Sequence, residues 1–245
     1  MTSTERGDHG WWPYVAPYAA FLLMSEIAAR LPASLDPIAL AMKPALTLAL
    51  IGWFWRQGHY PELRGAAARI GWGGALQDVL VGLALTVVWV LPFILFPEIR
   101  PDPGGEFDPG MAGGEWILLI LFLRFFGYAL VTPLFEELFI RSFVMRIASV
   151  WNSDHDFRDQ PLARYTRQSM VVTVIVFCLG HIPWEWWVCV PWLVLSNLWF
   201  YHRRRVSAMI LVHSVTNAAL LALAVFGDKL IRNQDGSFFS FWFFV

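Results

Sequence analysis

Seven blocks of apolar residues, most of them long enough to cross a bilayer of ~30 Å hydrocarbon thickness, constrain this chain more than any other feature. They lie at Trp12–Ala29, Ile38–Trp55, Leu76–Phe96, Trp116–Phe135, Ser169–Ile182, Trp187–Tyr201 and Val206–Phe226. Backbone N–H and C=O groups in hydrocarbon must be paired within their own segment, so such blocks fold as helices. The expected fold is all-α: a polytopic transmembrane helical bundle of about seven spans, with eight as the alternative, in a single integral membrane domain over residues 1–245. Of the 245 residues, 57% are hydrophobic and only 15% charged. Mean hydropathy is +0.52. A soluble enzyme, a disordered tail and a secreted disulfide scaffold are thereby excluded. With 18 Lys plus Arg against 19 Asp plus Glu, no broad basic surface for nucleic acid exists. The bilayer itself is an expected partner, with 14 Trp and 20 Phe available as interfacial anchors.

The N-terminal stretch lacks a charged segment, apolar core and small-residue cleavage site in sequence, so Trp12–Ala29 reads as a retained span. Lys and Arg are unevenly divided between the two sets of loops. The N-terminus, Arg56–Ala75, Glu136–Gln168 and His202–Arg205 hold twelve; Arg30, Arg100, Lys229 and Arg232 are the other four. The positive-inside rule then places the N-terminus in the cytoplasm and the C-terminus outside. On this reading Arg203–Arg205 is a topology signal touching anionic lipid. Residues 97–115 contain five Gly, four Pro and five acidic residues, the composition of a flexible extracytoplasmic loop without chemistry. Ser169–His202 is too long for one span and is interrupted by Pro183, Glu185 and Pro191, so it reads as a hairpin of two short helices that can admit water. Cys178 and Cys189 fall in apolar blocks without CxxC spacing and read as core hydrophobes. His9, His59, His155 and His202 fall in loops or at span ends and read as exposed.

An ionisable group at membrane depth costs ~3 kcal/mol or more, so each one inside a span needs a partner or a purpose. Glu26 and Lys43 fall at nearly the same depth and are expected to form a structural ion pair. Arg124 has no evident partner; snorkelling and binding a substrate carboxylate both remain open. Glu136 and Glu137 are adjacent at the end of the fourth block, among Leu134, Phe135, Leu138, Phe139 and Ile140. Glu137 and Arg141 are spaced i and i+4, with Glu on the favourable N-terminal side for an ion pair. Glu136 projects about 100° away, leaving one carboxylate neutralised and one free. A free carboxylate in an apolar site suits a general base; a helix-end salt bridge with a bystander Glu is the competing reading. His213 and Asn217 share one face of the last span. By the ~1.5 Å rise per residue His213 is ~10 Å and His181 ~18 Å from the cytoplasmic side, so these groups can meet in a polar cavity open to the cytoplasm.

Three motifs in order, EELFIR (Glu136, Glu137, Arg141), FCLGH (Phe177, His181) and HSVTN (His213, Asn217), resemble the EExxxR, FxxxH and HxxxN/D signatures of the CPBP family of intramembrane proteases. That family includes type II CAAX prenyl endopeptidases and bacteriocin self-immunity proteins. The resemblance covers a catalytic core at about 116–226. It implies hydrolysis of a peptide bond in a membrane-tethered protein, near its C-terminus. It further implies that Glu136 and His181 activate a water, that His213 and Asn217 stabilise the oxyanion, and that Glu137, Arg141 and Phe177 support them. It implies no cofactor, although two Glu and two His leave zinc open. YVAPYAAFLLMSEIA, KPALTLALIGWFWRQGHYPELR and the terminal WFFV also resemble the bacterial subgroup associated with exosortase and PEP-CTERM sorting, implying a bacterial inner membrane and a sorted precursor as substrate. A non-catalytic binding or immunity module and a transporter stand as alternatives; the lack of an inverted repeat counts against the transporter. The sequence does not fix the oligomeric state.

Overall fold

A computed structural model describes residues 10–102, 104–227, 229–233 and 236–245; Arg6 and His9, used in the topology and exposure arguments, lie outside the described residues. Seven helices follow the seven apolar blocks: α1 Trp12–Ala28, α2 Asp36–Arg56, α3 Trp72–Leu95, α4 Gly114–Val150, α5 Arg167–Leu179, α6 Trp186–Arg203 and α7 Val206–Phe226. Among the described residues there is no strand beyond an isolated bridge between Arg232 and Phe238. By length and hydropathy alone, α2 with its leading turn from Ala33, α3, α4 and α7 are long and apolar enough to cross a membrane. Large apolar side chains on the helices face outward, with Leu118 82% and Leu23 62% exposed. That surface is one that lipid, not water, would cover.

The helix ends follow from local chemistry. Pro13 and Pro37 occupy first-turn positions, where the missing N–H costs nothing. Thr166 caps α5 through a reciprocal box with Ser169, the Thr166 hydroxyl accepting from the Ser169 N–H at 2.9 Å. α5 stops at Leu179, and Ile182 is extended ahead of Pro183, as the residue before a proline prefers. The broken hairpin is thus observed; His181, expected within the fifth block, falls just past the helix end.

α4 departs most from expectation. The fourth apolar block stops at Phe135, yet the helix continues to Val150. Arg141 and Arg146, counted above as loop charges, are therefore buried helical residues. The helix can continue because each guanidinium has a carboxylate beside it, Glu137 for Arg141 and Glu62 for Arg146. Two wide π-type segments, Phe125–Val131 and Leu138–Val144, flank Thr132–Glu137. Pro133 withholds one N–H just after the first, a recognised source of such distortion.

α7 is the central helix, packed on α3, α4 and α6. Its closest crossing is with α3 at Gly82, where a Cβ would come within 2.7 Å of the Val212 carbonyl; the bare backbone lets Thr216 donate to the Gly82 carbonyl at 3.0 Å. α6 is tied to α3 by Arg203, whose guanidinium bonds Asp78 at 2.8 and 2.9 Å while Trp199 Nε1 donates to the same carboxylate. Arg203 and Arg205, expected at the lipid surface, have partners within the protein. Arg203 is held by buried Asp78, and Arg205 donates to the Ala66 and Ala67 carbonyls. The expected Glu26–Lys43 pair also does not form. Equal depth does not bring two side chains to the same side of their helices, and Glu26 pairs instead with Arg30 one turn away, at 3.2 Å in the open.

Candidate active site

A cavity of about 460 Å³ opens among α1, α2, α4, α7 and the α5–α6 turn. It is lined by Glu136 of α4, Phe177 and His181 at the end of α5, and His213 and Asn217 of α7. The three sequence motifs therefore meet in one place, although they come from separate elements.

Glu137 and Arg141 lie behind this wall. Arg141 is fully buried; its Nε donates to Glu137 at 2.9 Å and its Nη2 to Ser196 on α6 at 2.8 Å. The other Glu137 oxygen faces His213 Nδ1 at 3.1 Å. That carboxylate already accepts from Arg141, so it accepts from His213 as well, which places the ring proton on Nδ1 and turns Nε2 toward Glu136, 3.8 Å away. Glu137 thus fixes the orientation of His213 as a carboxylate orients a catalytic imidazole. Glu136, one residue along and turned into the cavity, keeps a buried Oε2 with no hydrogen-bond partner. The division into a neutralised and a free carboxylate is the arrangement expected from the i, i+4 spacing.

His181 Nδ1 lies 2.8 Å from the Phe177 carbonyl. A carbonyl only accepts, so Nδ1 carries the proton and Nε2 of the neutral ring holds a lone pair. The break after Leu179 makes this possible, since carbonyls in the last turn of a helix lack an intrahelical donor. Phe177 lies tilted against His181 at 4.3 Å and stacks on Trp192 at 5.4 Å, and Trp192 contacts His213 at 4.8 Å. Together with Trp89, 5.9 Å from His181, these rings form an apolar wall that limits water around both imidazoles. Asn217 Nδ2 donates to the Tyr128 carbonyl at 2.8 Å; its second N–H is left for another acceptor.

Among the cavity residues that escaped the sequence reading as site residues are Tyr128, Glu185, Trp89 and Trp192. Glu185 was visible only as an interruption of an apolar stretch; it is buried in the turn between α5 and α6. The two Trp and the Tyr carried no distinguishing signal in so aromatic a chain. Arg124, whose partner was undecided, also lines the cavity and lies over the rings of Phe107 and Tyr128 at 4.7 and 5.2 Å. Of the loop histidines, His155 and His202 are exposed, while His59 is half-buried against Phe54 at 5.8 Å. Cys178 and Cys189 are buried free thiols. Among the described residues, no group of three or more His, Cys, Asp or Glu side chains is arranged to hold a metal ion.

Residues 117–219 match the family model described as type II CAAX prenyl endopeptidase Rce1-like. No curated protein and no solved structure matches the chain.

Proposed function

From the match of residues 117–219 to the type II CAAX prenyl endopeptidase Rce1-like model, we propose that the chain is a member of that family and an intramembrane endopeptidase whose water is activated by Glu136 and His181. The match and the apolar helices support an integral membrane peptidase of the CAAX-endopeptidase kind. The observation that carries the residue assignment is that Glu136, whose buried Oε2 has no hydrogen-bond partner, lines a cavity that it shares with His181, His213 and Asn217.

In this mechanism Glu136 takes a proton from water, and the lone pair on His181 Nε2 accepts a hydrogen bond from the same water and aligns it. Attack on the scissile carbonyl builds an oxyanion. The second N–H of Asn217 donates to it, as does Nε2–H of His213 when that ring is doubly protonated, with Nδ1 still held by Glu137. Glu136 then returns the proton to the leaving nitrogen. Glu137 and Arg141 do not touch substrate; they hold His213. The reading is metal-free: among the described residues no three His, Cys, Asp or Glu side chains are arranged to hold a metal ion. The substrate is proposed to be a membrane-tethered protein cleaved near its C-terminus, a sorted or secreted precursor in a bacterial inner membrane. We further propose seven crossings, an N-terminus in the cytoplasm and a cavity opening to that side, supported by the surplus of basic residues in one set of loops after Arg141 and Arg146 are removed from the count.

The test compares membrane-fraction peptides by mass spectrometry from cells carrying the wild-type protein or Glu136→Gln. A set of C-terminal fragments that disappears with the substitution is expected; undiminished cleavage by Glu136→Gln overturns the mechanism. Metal analysis of the purified, active protein separates this reading from a zinc-dependent one.

A further inference from the structure

Resting on the endopeptidase reading above, we infer that Lys43 and Arg124 form a carboxylate-binding subsite in the cavity that holds Glu136, and that it takes the anionic group of a peptide substrate. Both cations sit on helices apolar enough to cross a membrane, α2 and α4, where an uncompensated charge is costly. Other basic side chains held between the helices have a carboxylate at hand: Arg141 has Glu137, Arg146 has Glu62 and Arg203 has Asp78. Among the described residues Lys43 and Arg124 have none. Glu136 and Glu185 are the side-chain carboxylates lining the same cavity, and Val245, the last residue, lines it as well; among the described residues none of the three is within ion-pair distance of either cation.

Arg124 is held by aromatic faces rather than by acceptors. Its guanidinium lies over Phe107 and Tyr128, and its buried Nε has no hydrogen-bond partner. Stacking of this kind fixes the plane of a guanidinium while leaving its edge free for a planar, two-oxygen acceptor. Lys43 is placed in the same way, its ammonium 5.6 Å from the centre of the Phe21 ring. Two cations, both facing one cavity and both lacking an anion, fit a single carboxylate taken as a charge-assisted, bidentate pair.

The neighbouring wall already accommodates peptide. The Tyr128 hydroxyl donates to the backbone carbonyl of Phe244, and Phe243, Phe244 and Val245 line the cavity beside it. A peptide with apolar side chains and one carboxylate therefore meets suitable groups in adjoining positions. Two parts of a peptide could supply that carboxylate, its C-terminus or an acidic side chain.

The experiment uses Glu136→Gln protein in phosphatidylcholine nanodiscs, so that binding is read without cleavage. The probes are an N-palmitoylated apolar hexapeptide with a free C-terminal carboxylate, its C-terminal amide, and the amide carrying one internal Glu. The free acid is expected to bind about tenfold or more tighter than the amide, the scale of hydrogen bonds to a charged group. Arg124→Gln and Lys43→Gln should each erase that difference while leaving amide binding unchanged, and Arg124→Lys should restore part of it. If the internal Glu recovers the affinity, the carboxylate is that of a side chain; if it does not, the C-terminus supplies it. Equal binding of acid and amide, or an equal fall for both in the variants, overturns the subsite. So does an acid preference that disappears when phosphatidylglycerol replaces phosphatidylcholine, because the cations then belong to lipid headgroups. Cleavage of the free acid by protein with Glu136 intact is followed separately. Carboxylate-dependent binding without any cleavage overturns the endopeptidase reading alone, and cleavage without acid preference overturns the subsite alone.

Discussion

Asp78 on α3 and Glu136 on α4 are both carboxylates in long apolar helices, the first buried and the second half-buried, and in the sequence nothing about either residue alone separates them. The structure treats them oppositely. Both Asp78 oxygens are satisfied, by two bonds from Arg203 and one from Trp199, and the residue does not line the cavity that holds Glu136. Glu136 has an oxygen with no partner, 3.8 Å from a histidine that is itself clamped by Glu137. A saturated buried carboxylate joins helices, whereas one left unsaturated beside an oriented imidazole and a cavity has capacity to accept a proton from something else. Arg141 belongs with Asp78 by this measure, since it cements α4 to α6 through Ser196, although it lies one turn from Glu137.

The contrast is broken most sharply by Glu136→Gln. It should lower turnover by up to ~10⁴-fold, the upper range for loss of a general base, with thermal unfolding in detergent unchanged or raised. A large fall in unfolding temperature would place Glu136 with the structural carboxylates. Arg141→Met should do the reverse. Leaving Glu137 buried without its ion-pair partner is expected to remove about 3–5 kcal/mol of stability, measured by chemical unfolding, because the surviving charge is uncompensated. Asn217→Ala should cost ~10²–10³ in kcat with little change in KM, the usual loss on removing one oxyanion donor; a pure KM effect in steady-state kinetics would make Asn217 a substrate-binding group. Asp78→Asn weakens a network in which Arg203 is still partly exposed, so about 1–3 kcal/mol is expected, with kcat of the folded fraction retained. Glu26→Ala should shift the unfolding free energy by under about 0.5 kcal/mol, since its pair with Arg30 is solvent-accessible. A larger effect would revive a structural role for Glu26.

The helical blocks were legible in the sequence because hydrophobic length is a local property, and α1, α2 and α7 match their expected spans to within two residues at each end. α4 was not. Glu136, Glu137 and Arg141 raise local polarity and resemble the end of a span, but the i, i+4 pairing of Glu137 with Arg141 lets the helix run on to Val150. The same spacing made the inequality of the two glutamates readable in advance, because both partners sit on one helix. Where partners sit on different helices, prediction failed. Glu26 and Lys43 were paired by depth alone, without knowledge of helix rotation, and Asp78 could not be matched to Arg203 across more than a hundred residues. Glu185, Tyr128 and the tryptophan wall were missed for the same reason.

The sequence by itself determined that this chain is helical and apolar, that Glu137 pairs with Arg141, and that His213 and Asn217 share a face. Each of these follows from spacing along one helix, where geometry is fixed by 3.6 residues per turn. Only the tertiary structure decided that the three motifs face one cavity, that Glu137 clamps His213, and that Lys43 and Arg124 lie in that cavity without an anion. Those facts depend on how separate helices rotate and pack, and such packing is set by contacts between residues far apart in the chain.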